Sequence, residues 1–320
     1  MEEKRIVAVD LGGTRTRAAL ADRKGNLLAR DVTHTGAEQG PELVILKINS
    51  LIRSVMGDLT ADQIDSINIA SPGPLDSERG IVLAPPNLPG WRDIPLARLV
   101  QQAHGITTFI ENDAKTAALG EYTFGEYKGT PNMVYITVST GIGGGVILDG
   151  KLVRGHRGLA TEIGHMIIDP DGPLCLCGGR GCLEVMASGT AIARQARQLV
   201  ESGLPTMIDE IAEGKLEDIT GITVQRAANS GDVVAEELMR RAAVNLGIGV
   251  ANTIHLFSPQ VVIIGGGVSF AGDMLFEPLR ASVNERLMEP FLREEIPVVP
   301  ASLADDAGLL GAVALALSRG

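Results

Sequence analysis

The sequence predicts an α/β protein of two related lobes, and three observations carry that expectation. The chain has 320 residues, more than one hydrophobic core usually organises, so two domains or one large bilobal unit are expected. It opens on a buried-strand pattern, Arg5–Asp10, then Leu11-Gly12-Gly13-Thr14 and a second strand-like run, Arg17–Ala21, closing at Asp22-Arg23-Lys24-Gly25. The pattern returns from Met133: apolar Val134–Val138, a glycine turn over Ser139–Gly145, and a strand Val146–Leu148 ending at Asp149-Gly150. A repeated hairpin with a glycine loop in each copy suggests two lobes facing a shared cleft.

The other elements follow in order. A third strand is expected at Leu27–Val32, a helix from about Pro41 to Met56, strands at Ile64–Ala70 and Thr107–Glu111, and an Ala-rich helix at Ala114–Gly120. Beyond the second hairpin, Ser188–Ser202 and Ala235–His255 read as helices and Val261–Ile264 as a strand entering Gly265-Gly266-Gly267. Ala271–Met288 reads as mainly helical, and Asp306–Ser318 as a small-residue helix. No Ser- or Pro-rich linker interrupts the chain, so hinges are expected near 113–130 and near 300. The expected domains are a smaller one, 1–115 plus 305–320, and a larger one, 116–304.

Hydrophobic residues make up 45% and charged residues 21% of the chain, the balance of a soluble globular protein. The segment Met1-Glu2-Glu3-Lys4-Arg5 runs straight into an apolar strand with no signal-peptide core, and no apolar run reaches the roughly 18 residues of a membrane span. A cytoplasmic location without membrane partners is therefore expected. The formal charge of −11 and the lack of a Lys/Arg cluster disfavour nucleic acid as a partner. They do not disfavour a single nucleotide, which backbone N–H groups, a metal ion and a few cations can hold.

Several motifs carry chemistry. Asp10 with Gly12, Gly13 and Thr14 places a carboxylate at a strand end beside a turn that exposes backbone N–H groups, which suits a phosphate and its Mg²⁺. The alternative is a plain hairpin. No GxxxxGK[ST] is present, and these glycines enter a strand instead of a helix, so neither a P-loop nor a Rossmann site is indicated. Thr140 and Gly141 offer a second such turn, and Gly265 and Gly266 follow a buried strand before a helix. Glu111-Asn112-Asp113 ends a strand and precedes a helix, so a carboxylate there can take a proton from an attacking hydroxyl, or Asn112 or Asp113 simply caps the helix. All three cysteines, Cys175, Cys177 and Cys182, follow His165 within eighteen residues. Four soft ligands with no spare make a closed, structural Zn²⁺ site, the alternative being buried reduced thiols and an unrelated His. Such a metal would order the loop carrying Glu162, His165 and Glu184. Asn87, in the turn Asn87-Leu88-Pro89-Gly90-Trp91, can both donate to and accept from sugar hydroxyls, while Trp91 reads as a packed residue of a rigid loop.

Together these segments resemble the ROK family, named for repressors, uncharacterised reading frames and kinases, and within it the zinc-containing bacterial glucokinases. The resemblance runs from Val7 to about Gly311, through DLGGT (10–14), SPGP (71–74), NLPGW (87–91), ENDA (111–114), STGIGGG (139–145), EIGH (162–165), CxCGxxGCxE (175–184) and GGG (265–267). It implies an actin-like, ribonuclease-H-like ATPase fold with two lobes around a cleft. It also implies a kinase that moves the γ-phosphoryl group of ATP to the 6-hydroxyl of an aldohexose, with glucose ahead of N-acetylmannosamine, mannose or allose.

By the same resemblance Asp113 is the general base and Asn87, Asn112, Asp113, Glu162, His165 and Glu184 hold the sugar. Asp10, Gly12, Gly13, Thr14, Thr140, Gly141, Gly265 and Gly266 hold ATP and Mg²⁺, and His165, Cys175, Cys177 and Cys182 hold Zn²⁺. His165 would use one ring nitrogen for the metal and the other for sugar. Homo-oligomers, dimeric or tetrameric, are typical. Ala160-Thr161 stands before EIGH where family members commonly have Ala-Gly, which bears on the local turn. A sugar-responsive repressor of the same family would carry an added N-terminal helix-turn-helix, for which a first strand beginning at about Arg5 leaves no room.

Overall fold

The protein is described here by a computed structural model covering residues 3–319. Met1, Glu2 and Gly320, the outer ends of the expected domains, lie outside the described residues. In chain order the elements are β1 (Arg5–Leu11), β2 (Arg15–Ala21), β3 (Leu27–His34), α1 (Pro41–Met56), β4 (Ile64–Ser71), β5 (Leu75–Asp76), β6 (Ile81–Val82), α2 (Leu96–His104), β7 (Thr108–Asn112) and α3 (Asp113–Phe124). Then come β8 (Met133–Val138), β9 (Ile142–Leu148), β10 (Lys151–Leu152), α4 (Leu183–Ala187), α5 (Gly189–Glu201), α6 (Met207–Ile211), α7 (Gly221–Asn229), α8 (Val233–Phe257), β11 (Val261–Gly265), α9 (Asp273–Asn284), α10 (Glu289–Arg293), β12 (Val298–Pro300) and α11 (Ala307–Leu317).

Two five-stranded sheets share one topology. The first runs β3-β2-β1-β4-β7 and the second β10-β9-β8-β11-β12. In each, an opening strand sits in the middle with its hairpin partners on one side and two later strands on the other. In the first sheet β1 pairs antiparallel with β2, Asp10 opposite Arg17, and parallel with β4. In the second, β11 lies parallel between β8 and β12 and is buried along its whole length, hence its unbroken apolar run.

The chain divides into two compact units, one of 1–130, 145–161 and 302–320, the other of 131–144 and 162–301. The boundary drawn from sequence at 115/116 falls inside α3. That helix stays with the first unit because it packs along α11, where Gly120 and Gly311 let the backbones approach: a Cβ on Gly120 would stand 3.0 Å from the Gly311 nitrogen.

Period two along β1 decides which side chain meets what. Val7, Val9 and Leu11 point into a core closed by Val44, Ile48 and Ile52 of α1 and Leu96 and Val100 of α2. Each such aliphatic contributes about 1.5–3 kcal/mol on burial. Ile6 and Ala8 point the other way, against Leu309, Ala312, Val313 and Ala316 of α11. Trp91, 3% exposed, belongs to the first core, as its reading as a packed residue requires.

The glycine turn expected over Ser139–Gly145 is shorter. Only residues 139–141 turn, and Ile142–Gly145 already belong to β9. The later glycines serve close packing within a strand: a Cβ on Gly145 would stand 2.9 Å from the Ala114 carbonyl oxygen of α3, and one on Gly144 would run into Ile163.

Candidate active site

Within the first unit, Asp10 continues the β1 face that meets α11 and ends against Gly308, where a Cβ would lie 2.6 Å from the Asp10 carboxyl carbon. Its Oδ2 accepts from Arg17 Nη2 at 2.5 Å and Nε at 3.1 Å, while Arg17 Nη1 donates to the carbonyl oxygen and Oδ2 of Asp305. The turn after β1 closes by Gly12 N–H to the Arg15 carbonyl oxygen, 3.0 Å. Among the described residues neither Gly13 N–H nor Thr14 N–H donates to a protein group. Adjacent open amides beside a strand-end carboxylate form a cradle for an anion with its cation. Gly13 packs on Asn87, 3.3 Å from the position of a Cβ to that residue's Cβ, so Asn87, exposed, stands beside the turn of residues 12–14.

At the end of β7 the structure shows which residue caps the helix. Asn112 is the N-cap of α3, its Oδ1 accepting from Lys115 N–H at 3.2 Å. Asp113 is the first helical residue and is exposed, its Oδ1 accepting from Ala114 N–H at 2.8 Å and Asn112 Nδ2 at 3.1 Å. These bonds anchor the Oδ1 atom. The SPGP turn crosses over them, with a Cβ on Gly73 3.0 Å from Asn112 Nδ2. The loop after β10 is fastened to the same region by three cations. Arg154 Nε donates to the buried Glu111 at 2.8 Å, Arg157 Nε reaches Asp76 at 3.3 Å, and the buried Lys115 donates to the Gly158 carbonyl oxygen at 2.6 Å. The Arg79 N–H, together with Arg157, holds the Asp76 carboxyl below its usual range against the effect of burial.

Within the second unit, the turn at 139–141 is held from α5: Gly189 N–H donates to the Ser139 carbonyl oxygen at 2.8 Å and Thr190 N–H to that of Thr140 at 3.4 Å. Among the described residues the N–H groups of Thr140 and Gly141 donate to no protein group. Ser139, Thr140, Gly189, Thr190, Gly221 and Gln225 line a cavity of about 380 Å³ that Gly267 also borders. Gly267 alone of the 265–267 triplet reaches it. Gly265 lies under the Tyr135 ring, and Gly266 at φ 85° lies against the Val138 backbone. The starts of α5 and α7, at Gly189 and Gly221, were not singled out from sequence. Their signal is a Ser-Gly and a Thr-Gly pair, each a helix cap followed by a residue without a side chain.

His165, Cys175, Cys177 and Cys182 bring their ligand atoms within 4.8 Å of one another. Cys175 Sγ lies 3.8 Å from His165 Nδ1, and Cys177 Sγ 3.6 Å from Cys182 Sγ. A tetrahedron with Zn–S bonds of about 2.3 Å has edges of roughly 3.8 Å, so the donor set fits Zn²⁺. Burial, with Cys177 and Cys175 beside it, pushes the Cys182 thiol up to about 12, and the Gly179 N–H lowers Cys177. A bound cation would reverse the first of these. Glu162 immediately precedes the turn Ile163–His165, and Glu184 lies in the first turn of α4, directly after Leu183. Thr161 stands at φ 63°, a conformation costly for a β-branched residue and one that glycine adopts freely.

A strand order repeated in two sheets, each with an open-amide glycine turn after its central strand, defines a protein of the actin-like, ribonuclease-H-like ATPase class. The chain belongs to the ROK family, whose model matches residues 6–319. It is 39% identical to the glucokinase of Thermotoga maritima, over 100% of this chain and 99% of that protein. With the glucokinase of Streptomyces coelicolor it shares 37% identity over 97% of this chain and 96% of that protein. The crystal structure of a ROK family glucokinase from Streptomyces griseus, in complex with glucose and AMPPNP, matches with a TM-score of 0.86 and 36% identity. That match covers 99% of this chain and all of that one.

Proposed function

We propose that the protein is a hexose kinase that transfers the γ-phosphoryl group of ATP to the 6-hydroxyl of glucose. The observation that carries the reading is Asp113, an exposed carboxylate held by two hydrogen bonds at the start of α3, in a chain 37–39% identical to glucokinases. Asp113 takes the proton of the 6-hydroxyl as that oxygen bonds to the γ-phosphorus and the bond from phosphorus to the ADP oxygen breaks. Asn87, Asn112, Glu162, His165 and Glu184 hold the other hydroxyls. Gly12, Gly13, Thr14, Thr140 and Gly141 shape the nucleotide site, with the base in the cavity beside Gly189, Gly221 and Gly267, while Gly265 and Gly266 support it from behind by packing on Tyr135 and Val138.

Asp10 is the residue to hold Mg²⁺, which when bound neutralises charge on the β- and γ-phosphate oxygens. His165 and the three cysteines hold Zn²⁺, with Nδ1 toward the metal and Nε2 left to donate to sugar. Unpaired thiols and the use of ATP suit the cytoplasm, where glucose 6-phosphate enters carbohydrate metabolism. The family resemblance supports a homodimer or homotetramer, and the acidic charge argues against nucleic acid as a partner.

The test is ADP release coupled to an indicator reaction across glucose, mannose, allose and N-acetylmannosamine. Glucose should give the highest kcat/KM, and Asp113→Asn should lower kcat roughly 100- to 10,000-fold with little change in nucleotide affinity. Equal turnover by the variant would remove the base assignment. Preference for N-acetylmannosamine would remove glucose and keep the kinase.

A further inference from the structure

The turn whose open amides face the nucleotide in the proposal above is gripped by the two segments that carry the metal ligands. Cys182 is the N-cap of α4, and two residues later Glu184 Oε2 accepts from the Ile142 N–H at 2.9 Å, at the point where the turn becomes β9. A side chain on Gly141 would collide with that same carboxylate oxygen. His165 follows Ile163 and Gly164. Ile163 fills the space over Gly144, and Gly164 lies so close to the Ile142 carbonyl that no Cβ fits between them.

Ile142 is therefore bonded at its N–H and closely packed at its C=O by residues one or two positions from Cys182 and His165. Leu183, fully buried, packs on Gly249 of α8 and fixes the other side of α4. A short antiparallel pairing, with Ile168 N–H to the Gly181 carbonyl oxygen at 2.9 Å and Leu183 N–H to that of Met166 at 2.8 Å, lines the two ligand segments up, and a metal on the four donors would close them.

We infer that Glu184 is a positioning residue for the nucleotide turn, tying the turn's affinity for the phosphates of a nucleoside triphosphate to occupancy of the metal site. The inference rests on the nucleotide reading of Thr140 and Gly141. A charged acceptor on one amide restricts the adjoining residues far more than the backbone contacts alone do. If one ligand tightens the turn for the other, the linkage is reciprocal.

Hydrogen exchange at the Ile142 amide and calorimetric binding of Mg-AMPPNP without sugar test this on the metal-loaded wild type, Glu184→Ala, Glu184→Gln and chelator-treated wild type. Glu184→Ala should speed Ile142 exchange at least tenfold and weaken AMPPNP about tenfold, the size of one charge-assisted hydrogen bond. Glu184→Gln keeps an acceptor oxygen and should recover to within about threefold of wild type, which rules out a general folding defect. Chelation should reproduce the alanine effect in the wild type and add little to Glu184→Ala. Unchanged Ile142 exchange in Glu184→Ala, or AMPPNP affinity within twofold of wild type, would overturn the inference. Absence of AMPPNP binding by the loaded wild type would instead overturn the nucleotide reading, with Ile142 exchange still deciding whether Glu184 holds the turn.

Discussion

Gly308 lacks a side chain where Asp10 needs the room. The Asp10 carboxylate lies between that glycine and Arg17, with its side chain 17% exposed, so its orientation is set by one ion pair and one absent methyl group. A methyl at 308 would press on the carboxyl carbon at 2.6 Å and rotate it or push α11 away. Gly308→Ala should therefore raise the concentration of Mg-nucleotide needed for half-saturation about tenfold and destabilise the fold by about 1–3 kcal/mol, as overpacking does. Titration of AMPPNP at fixed Mg²⁺ together with a denaturant melt would check both. A parallel division of labour holds at 112 and 113. Asn112 caps α3, so Asp113 is not needed for the cap and its carboxylate is left for the role proposed above.

Among the elements, α8 shows how one carboxylate organises a region. Asp232 caps this 25-residue helix through the N–H groups of Val234 and Ala235, each at 2.9 Å. It also accepts from the Thr206 hydroxyl at 2.7 Å and from the Met207 N–H at the start of α6. Burial pushes its carboxyl upward, but these donors outweigh burial and hold it below 3.8. Its folded value lies under its unfolded one, so the stabilisation is complete above the unfolded value and is lost as pH falls through the folded one. Asp232→Ala should cost about 2 kcal/mol at pH 7 in urea unfolding, and the gap to wild type should narrow in acid below pH 3.8.

The long periodic elements were legible in sequence. β1, β2, α1, α5, α8 and α11 lie within a few residues of their expected limits, because period and capping residues such as Ser188 mark them. Short pieces such as α6, α7, β5, β6, β10 and β12 were not, since two to nine residues held by tertiary contacts carry little periodic signal. The grouping of His165 with the three cysteines was legible because those residue types are unusual together, and the structure does gather them. The cavity wall was not, because an isolated glycine at a helix start resembles any other turn.

For the whole molecule, the repeated strand order explains why two glycine turns exist, one after β1 and one after β8. The four residues that could hold a metal ion belong to the second unit alone. Elemental analysis should return one zinc per chain. Stripping it should lower the melting temperature by several degrees, with hydrogen exchange rising between 162 and 187 while β1 to β3 stay protected. Loss of protection spread evenly through both sheets would mean that the metal is not a local clasp.

The placement of α11 also bears on synthesis. This helix covers the face of the first sheet formed by Ile6, Ala8, Ala19 and Ala21, and Arg15, Arg17 and Arg30 pair with Asp305 and Asp306 just ahead of it. On a ribosome moving at about 5–20 residues per second, roughly 290 residues separate that face from its cover, an interval of about 15–60 seconds. The nascent chain therefore carries a half-covered apolar sheet until α11 has been made, and β1 and β2 must stay unaggregated over that interval.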